Sequence, residues 1–481
     1  MELIIVSIVL LATLYFLYSV LNSGSSSSTK NGKQQLPLPP GAKGWPLVGE
    51  TLAYLQGSKK GVPEKFIAER RDKFSTTIFK SPLLNENMVF FCTAEGNKFL
   101  FANENKLVKS WWPKTFEKIF APSEKTTQGE ETMRMRKVLS PFLKPDSLQK
   151  YIGVMDSETQ KHLKTYWDAK EVTVYPLAKK YTFAVGCKLF LNIDNPETIA
   201  MLEEPIRHIS SGFVSSFPVN IPGTKYHKAI QAAKKIRTDI KHLVAQRRRD
   251  ILEGRAPKSP DILSHLLMET YENGELINDS DIANKIYGLL HGAYDNVSAL
   301  LSSIIAYLAE LPEVYDRVRS EQIEIAKSKA PGELLNWTDL QRMKYSWNVA
   351  CEVMRLVPPT QGTFREVITD FVYDGFLVPK GFKIHWNAFA THKNPKYFPN
   401  PEKFDPSRFE GEGPVPFSYV PFGGGPRMCP GKEYARLKIL VFMHNMVKAF
   451  KWEKVFPDEK ITTDPVSAPS KGLPVRLHPY K

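Results

Sequence analysis

The stretch that decides the reading is PFGGGPRMCPGKEYARLKIL, Pro421–Leu440. Three glycines and a proline lead to Arg427 and Cys429, and Pro430 and Gly431 follow at once. Beyond them Ala435, Leu437, Leu440, Phe442, Met443 and Met446 recur at helical spacing, so an amphipathic helix is expected over Gly431–Phe450. That pattern places Cys429 at the N-cap and Pro430 at the first helical position, where proline is favoured. Unpaired N–H groups and the positive helix end would then face the sulfur and favour thiolate. A glycine-rich approach allows backbone to pass close to a flat partner, and Arg427 would bind an acidic group on it.

A thiolate offered alone suits haem iron better than zinc, which takes three or four protein ligands. A buried structural cysteine is the plainer alternative. Phe422, Gly425, Arg427, Cys429 and Gly431 fill the pattern F-x-x-G-x-R-x-C-x-G. At about one chance in twenty per position, such a match is expected on the order of once in a million starts. On these residues the chain resembles the cytochrome P450 monooxygenases. The resemblance implies a mainly α (α+β) fold, a helix-rich triangular prism with small β-sheets. It also implies haem b, with Cys429 as the axial ligand of the iron and Phe422 and Arg427 among the haem contacts.

Two further motifs follow the family's order. Glu352 and Arg355 lie three apart on a helix made apolar by Ala350, Cys351, Val353 and Leu356 and ended by Pro358-Pro359. A charged pair there needs further partners. Arg408, within Phe404–Phe409, is the residue that by resemblance completes a structural triad.

The third motif is the nearly apolar run Ile286–Leu311. His291 and Asp295 near its middle favour a buried central helix over a second membrane span. The family reads small-Gly-x-acid-Thr here, and its acid–alcohol pair delivers protons. This chain has Gly292, Ala293, Tyr294, Asp295 and Asn296. Asp295 and Asn296 are therefore the candidate catalytic residues, with a carboxamide where a hydroxyl is usual. A carboxamide donates and accepts hydrogen bonds but does not readily relay a proton. Either monooxygenation runs by a modified proton path, or the protein rearranges a pre-oxidised substrate without activating dioxygen. The compact cysteine loop and the N-terminal apolar run favour the first.

Arg136, on a helix expected over Glu130–Leu143, and Arg365, after Pro358–Phe364, resemble propionate-binding arginines. The tryptophan that usually accompanies the first is Thr132 here. Substrate-lining segments implied by the family are Leu100–Glu124, Ser210–Val219, Thr360–Phe364, Val466–Ser470 and the central helix. Trp111, Trp112, Phe116, Phe213 and Phe217 would supply bulk. The C-terminal stretches resemble plant oxidases of cyclic triterpenes such as β-amyrin. They imply hydroxylation of a pentacyclic triterpene, single or stepwise to aldehyde and carboxylic acid. A diterpenoid or sterol substrate, a hydroperoxide-rearranging enzyme, and a haem carrier without turnover are the alternatives.

Organisation of the chain and its composition agree with this reading. Leu3–Leu21 is a 19-residue run without charge, long enough at about 1.5 Å per residue to span a hydrocarbon core. The first basic residues follow it, which directs the body to the cytosol. The expected organisation is an anchor over residues 1–21, a Ser/Gly and Pro-rich linker over 22–49, and a haem domain over 50–481, on the endoplasmic reticulum membrane. Four scattered cysteines exclude a disulfide framework. No G-x-G-x-x-G follows a strand, so the NADPH-dependent flavoprotein reductase of that membrane is the expected electron donor. The net charge of +14 suits its acidic face, with no nucleic-acid motif to claim it.

Overall fold

The computed structural model describes residues 36–45, 49–120, 128–212, 220–255, 261–270, 274–463 and 466–480, together with Thr13 and Tyr15. The apolar run Leu3–Leu21, apart from those two residues, and residues 22–35 of the linker lie outside it. Among the described residues no single helix is long and apolar enough to cross a membrane.

The central helix, Asp279–Glu310, has 32 residues, and the Asn278 side chain caps its start by accepting from the Asp281 N–H. Twenty of its residues are buried, including Asp295. It is a core helix, packed between Val174–Leu191 on one side and Lys225–Leu252 on another. Pro312 starts the next helix, Pro312–Lys327, after a bend of 114°. Lys344–Leu356, which carries Glu352 and Arg355, and Lys432–Ala449, which follows the cysteine, complete the core.

A five-stranded sheet lies at one edge. Its strands are β1 (Ile78–Leu83), β2 (Glu86–Phe91), β3 (Val108–Trp111), β4 (Gly362–Val367) and β5 (Lys383–Asn387), in the order β1-β2-β5-β4-β3. β2 and β5 run parallel and the other pairs antiparallel. Leu84 and Asn85, both with φ near +60°, make the two-residue turn between β1 and β2. This is the turn geometry that follows strand twist. The sheet matters to the site because β4 sets Arg365 opposite Ser110 of β3 and Ile384 of β5. Phe371–Tyr373 and Phe376–Val378 pair across Asp374-Gly375, both at positive φ, as that dipeptide predicts.

Sequence periodicity predicts helices over Pro63–Phe74, Glu130–Leu143, Leu148–Trp167, Tyr226–Leu252, Asp281–Leu311, Pro312–Lys329, Met343–Leu356 and Gly431–Phe450, and all but Leu148–Trp167 end within two residues of these limits. Leu148–Trp167 differs: the helical stretch is Ile152–Tyr166, preceded by a short 3₁₀ turn at Gln149–Tyr151. Helices Ala94–Ala102, Val174–Leu191 and Pro196–Gly212 and strands β3 and β4 were absent from the sequence-based expectation. The arginines of the densest basic run, Arg247-Arg248-Arg249, find partners within the chain. Arg247 pairs with Asp261 and donates to the Leu191 carbonyl, Arg248 pairs with Asp279, and Arg249 donates to Gln246.

His162, His385, His392 and His444 are buried. Burial lowers their pKa from 6.5 to about 3, 4, 3 and 3 respectively. The fold therefore holds them neutral, while the unfolded chain protonates them below about pH 6.5. Their contribution to stability is full above that pH and is lost as pH falls toward 4. Calorimetry across pH 7.5 to 5 is expected to show a falling Tm, with unfolding at pH 5 taking up as many as about four extra protons from these side chains. A flat Tm over that range would contradict the assignment.

Candidate active site

The loop ahead of the last core helix is held by its own backbone. Cys429 N–H donates to the Phe422 carbonyl at 2.9 Å, and Met428 N–H to that of Gly425 at 3.0 Å. Gly425 has φ +64°, and a Cβ there would stand 2.4 Å from the Phe101 carbonyl oxygen. A Cβ on Gly424 would strike the Phe101 ring. The glycine run thus first accommodates a protein neighbour, helix Ala94–Ala102, although Gly423 and Gly424 also line the cavity described below.

Cys429 is not the N-cap. Gly431 takes that position, and the helix begins at Lys432. Burial is the main influence on the thiol and raises its pKa, opposed by the Gly431 N–H and the charge of Arg136. Cys92, Cys187 and Cys351 are buried and unpaired to sulfur, and burial raises their thiol pKa values too.

What Cys429 faces is a cavity of about 450 Å³. Leu289, Gly292, Ala293, Asn296 and Val297 of the central helix form one wall. Phe422, Arg365, Arg427 and Trp386 lie on others. A Cβ on Gly288 or Gly292 would meet nothing within 4 Å. The helix thus presents bare backbone to the space that Cys429 also borders.

Two of the three predicted arginines, Arg365 and Arg427, line this cavity, and the third, Arg136, binds the loop beside it. Arg136 donates to the Met428 carbonyl at 2.6 Å. Arg365 donates to Glu104 at 2.5 Å and to Thr363 Oγ1 at 2.9 Å. Arg427 lies 3.3 Å from the other Glu104 oxygen. Glu104, its side chain 1% exposed, went unnoticed in the sequence because it sits in no motif. Three guanidiniums beside one carboxylate leave an excess of positive charge. The Nε of Arg136 is buried without a hydrogen-bond acceptor, and that of Arg427 has only the Glu104 oxygen at 3.3 Å, outside hydrogen-bond geometry. A flat prosthetic group with carboxylate arms, bound through the sulfur, fits this set: its arms would supply the missing acceptors.

Asp295 and Asn296 are parted by the turn of the helix. Asp295 points to the neighbouring helices, pairing with Lys179 at 2.9 Å and accepting from Ser210. It is absent from the cavity lining, whereas Asn296 is in it and accepts from the Thr360 hydroxyl at 2.9 Å. The expected acid–amide pair is therefore not one constellation. Trp112, Phe116 and Phe120 stack in succession, and Phe120 packs on Tyr287 and His291 of the central helix. Neither Trp111 nor any of that stack borders the cavity beside Cys429. Phe213 and Phe217 lie outside the described residues, as does the Thr132 side chain.

Behind the loop, Glu352 and Arg355 are fully buried and joined by two hydrogen bonds, of 2.7 and 2.8 Å. Arg355 also donates to the His392 carbonyl at 2.9 Å, and the Asp405 N–H donates to Glu352 at 2.9 Å. Arg408 Nε lies 3.4 Å from Glu352. Its terminal nitrogen donates to the carbonyls of Pro399 and Asn400. The three residues form one cluster that ties the helix to the segment leading into the cysteine loop.

Residues 39–475 match the family model described as Cytochrome P450. A "Beta-amyrin 28-monooxygenase" of Vitis vinifera is 55% identical over 445 residues, 92% of each chain. One from Kalopanax septemlobus is 54% identical over 468 residues, 97% of this chain and 96% of the relative. Among solved structures, "Retinoic acid bound cyanobacterial CYP120A1" superposes with a TM-score of 0.82 at 32% identity, over 93% of this chain and all of that one.

Replacing Glu104 by Ala would leave Arg365 and Arg427 buried without their shared carboxylate. The expected cost is about 3–5 kcal/mol, as for breaking a buried pair. Thermal unfolding and the haem-to-protein absorbance ratio measure it. Glu104→Gln, which keeps an acceptor, should fall between wild type and Glu104→Ala. An unchanged Tm in both variants would remove Glu104 from the site.

Proposed function

Because the chain belongs to the cytochrome P450 family, we propose that it is a haem b-thiolate monooxygenase that oxidises a β-amyrin-type pentacyclic triterpene at carbon 28. The observation that carries the chemistry is the Cys429 sulfur on the wall of an apolar cavity, opposite bare helix backbone and beside a cluster of arginines. The substrate class rests on relatives of that activity aligned over more than nine-tenths of this chain.

The bound haem iron would supply the activation of dioxygen and the insertion of one oxygen atom into a C–H bond. The protein's residues do the rest. Cys429 would hold the iron through its sulfur, and the Phe422 carbonyl fixes the Cys429 backbone through its N–H. Arg136, Arg365 and Arg427 would hold the propionates, and their charge would compensate two carboxylates carried into a buried place. Glu352, Arg355 and Arg408 have no part in the chemistry and keep the loop in position. Leu289, Ala293, Val297 and Leu300 offer apolar surface to a hydrocarbon substrate and keep water from the reacting carbon. Asn296 is the polar group of the central helix on that wall.

Two electrons per turnover come from an NADPH-dependent flavoprotein reductase in the same membrane, to which the net charge of +14 is suited. The run Leu3–Leu21 anchors the chain in the endoplasmic reticulum with the haem domain in the cytosol, where a lipid-dissolved triterpene reaches it.

The test is expression in yeast with a plant reductase. The reduced protein with carbon monoxide should show the long-wavelength Soret band of a thiolate-ligated haem, and Cys429→Ser should abolish it. Microsomes supplied with β-amyrin, NADPH and oxygen should form product oxidised at carbon 28. Product formed from a fatty-acid hydroperoxide without NADPH, and none from β-amyrin, would establish the rearranging enzyme instead.

A further inference from the structure

The central helix lacks the hydroxyl that its acid–alcohol pattern calls for, yet a hydroxyl from another element lies within hydrogen-bond reach of the residue that stands there. Thr360 Oγ1 lies 2.9 Å from Asn296 Oδ1, and both residues line the cavity that Cys429 borders. Thr360 belongs to a different element, the short link between helix Lys344–Leu356 and β4. We propose that Thr360 is a catalytic residue whose hydroxyl, positioned by Asn296, serves as the proton donor to the reacting oxygen in place of an alcohol on the central helix. The proposal rests on the monooxygenase reading above.

Three observations support it. First, the link is fixed on both sides of Thr360. The Ser467 N–H donates to the Pro359 carbonyl at 3.0 Å, and the Ala388 N–H to that of Gln361 at 2.6 Å. Pro358 and Pro359 restrict the backbone ahead of it. A donor held this way keeps its geometry through turnover. Second, the division of roles follows from the groups themselves. A carboxamide accepts the hydroxyl proton and so orients Oγ1, but it does not relay protons; a hydroxyl donates and accepts on one atom. Third, Asp295 does not compete for the task, because Lys179 and Ser210 engage it on the far side of the helix.

The step balances without a change in oxidation state at the protein. Rotation about the Cβ–Oγ1 bond turns the O–H from Asn296 to the cavity. Its proton passes to the reacting oxygen, and Oγ1 takes one from a cavity water, which solvent restores. The electrons are those the reductase already supplies.

The test compares Thr360→Val, which keeps shape and loses the hydroxyl, with Thr360→Ser and with the double variant Thr360→Val, Asn296→Thr. Each is measured for product and hydrogen peroxide per NADPH. Thr360→Val should lower product per NADPH about tenfold with a matching rise in peroxide, a smaller loss than the ~10²–10⁴ of a positioned proton donor because water substitutes in part. Thr360→Ser should stay close to wild type. The double variant should recover coupling, since it returns a hydroxyl from the helix without rebuilding the Thr360–Asn296 hydrogen bond.

A second readout needs no turnover. The infrared C–O stretch of the ferrous carbon monoxide complex senses a hydrogen-bond donor beside the ligand, so it should move in Thr360→Val and not in Thr360→Ser. Coupling in Thr360→Val equal to wild type, or no recovery in the double variant, would overturn the proposal. If Thr360→Val takes up no haem, Thr360→Ala is judged by the same two criteria. Loss of the thiolate Soret band in wild type would instead refute the monooxygenase reading.

Discussion

Two charged side chains with no solvent exposure, Glu352 and Arg355, set the terms for the rest of the molecule. Buried charge is tolerated only where every hydrogen-bonding position finds a partner. Here the partners come from remote segments: the carbonyls of His392 and Lys403, the Asp405 N–H and the Arg408 side chain. Satisfying one ion pair therefore fixes the whole stretch from residue 392 to 408 against helix Lys344–Leu356. The connection continues toward the cysteine. The Val420 N–H donates to His392 Nε2 at 2.8 Å, and the Tyr419 hydroxyl donates to the Cys351 carbonyl at 3.0 Å. Cys429 is nine residues further on. The neutrality that burial imposes on His392 is what leaves Nε2 free to accept there.

A second electrostatic constraint acts on the opposite side of the loop, and it is deliberately unbalanced. Glu104 brings Arg365 and Arg427 together but cannot neutralise both, and Arg136 adds a third positive group. In the cluster around Glu352 two arginines share one carboxylate, and their other donors end on the carbonyls of His392, Lys403, Pro399 and Asn400. In the cluster around Glu104 three guanidiniums stand near one carboxylate. The first arrangement is that of a structural lock. The second is that of a receptor for an acidic partner. The same residue types carry opposite meanings, and the ratio of guanidiniums to acceptors tells them apart.

Much of this was legible in the sequence, unevenly and for physical reasons. The cysteine loop, Glu352 with Arg355, and the central helix stand out because each breaks the statistics of its surroundings: glycines in series, charge in an apolar helix, an apolar run too long for a strand. Helix Val174–Leu191 was missed because eleven of its residues are buried, which removes the polar face that periodicity detects. β3 and β4 were missed because they are short and acquire their strand character by pairing with each other, across more than 250 residues of chain. Glu104 carries no local signal, and Thr360 entered only as the first residue of a stretch that the resemblance assigns to the substrate. Each gains its role only when the fold brings it to Arg365 or to Asn296. The N-cap assignment of Cys429 failed by two residues, because the helix begins only at Lys432.

The central helix shows how one element can serve two chemistries. At 100° per residue, neighbours in sequence face different partners. Asp295 enters the ion pair with Lys179 and the contact with Ser210, which tie the helix to Val174–Leu191 and Pro196–Gly212. The adjacent Ser298 and Thr182 hydroxyls, 2.7 Å apart, strengthen the same seam. Asn296, one step round, meets the cavity. A carboxylate turned into the cavity would need a counter-charge within an apolar space, or it would stay protonated. Turned outward it has Lys179, and its charge is satisfied. The side of the helix that borders Cys429 is thereby left neutral and mostly apolar, with small residues at Gly288, Gly292 and Ala293. That composition suits a hydrocarbon substrate and a flat prosthetic group better than an exposed acid would. It also concentrates the polar chemistry of that wall in a single carboxamide and the hydroxyl that bonds to it.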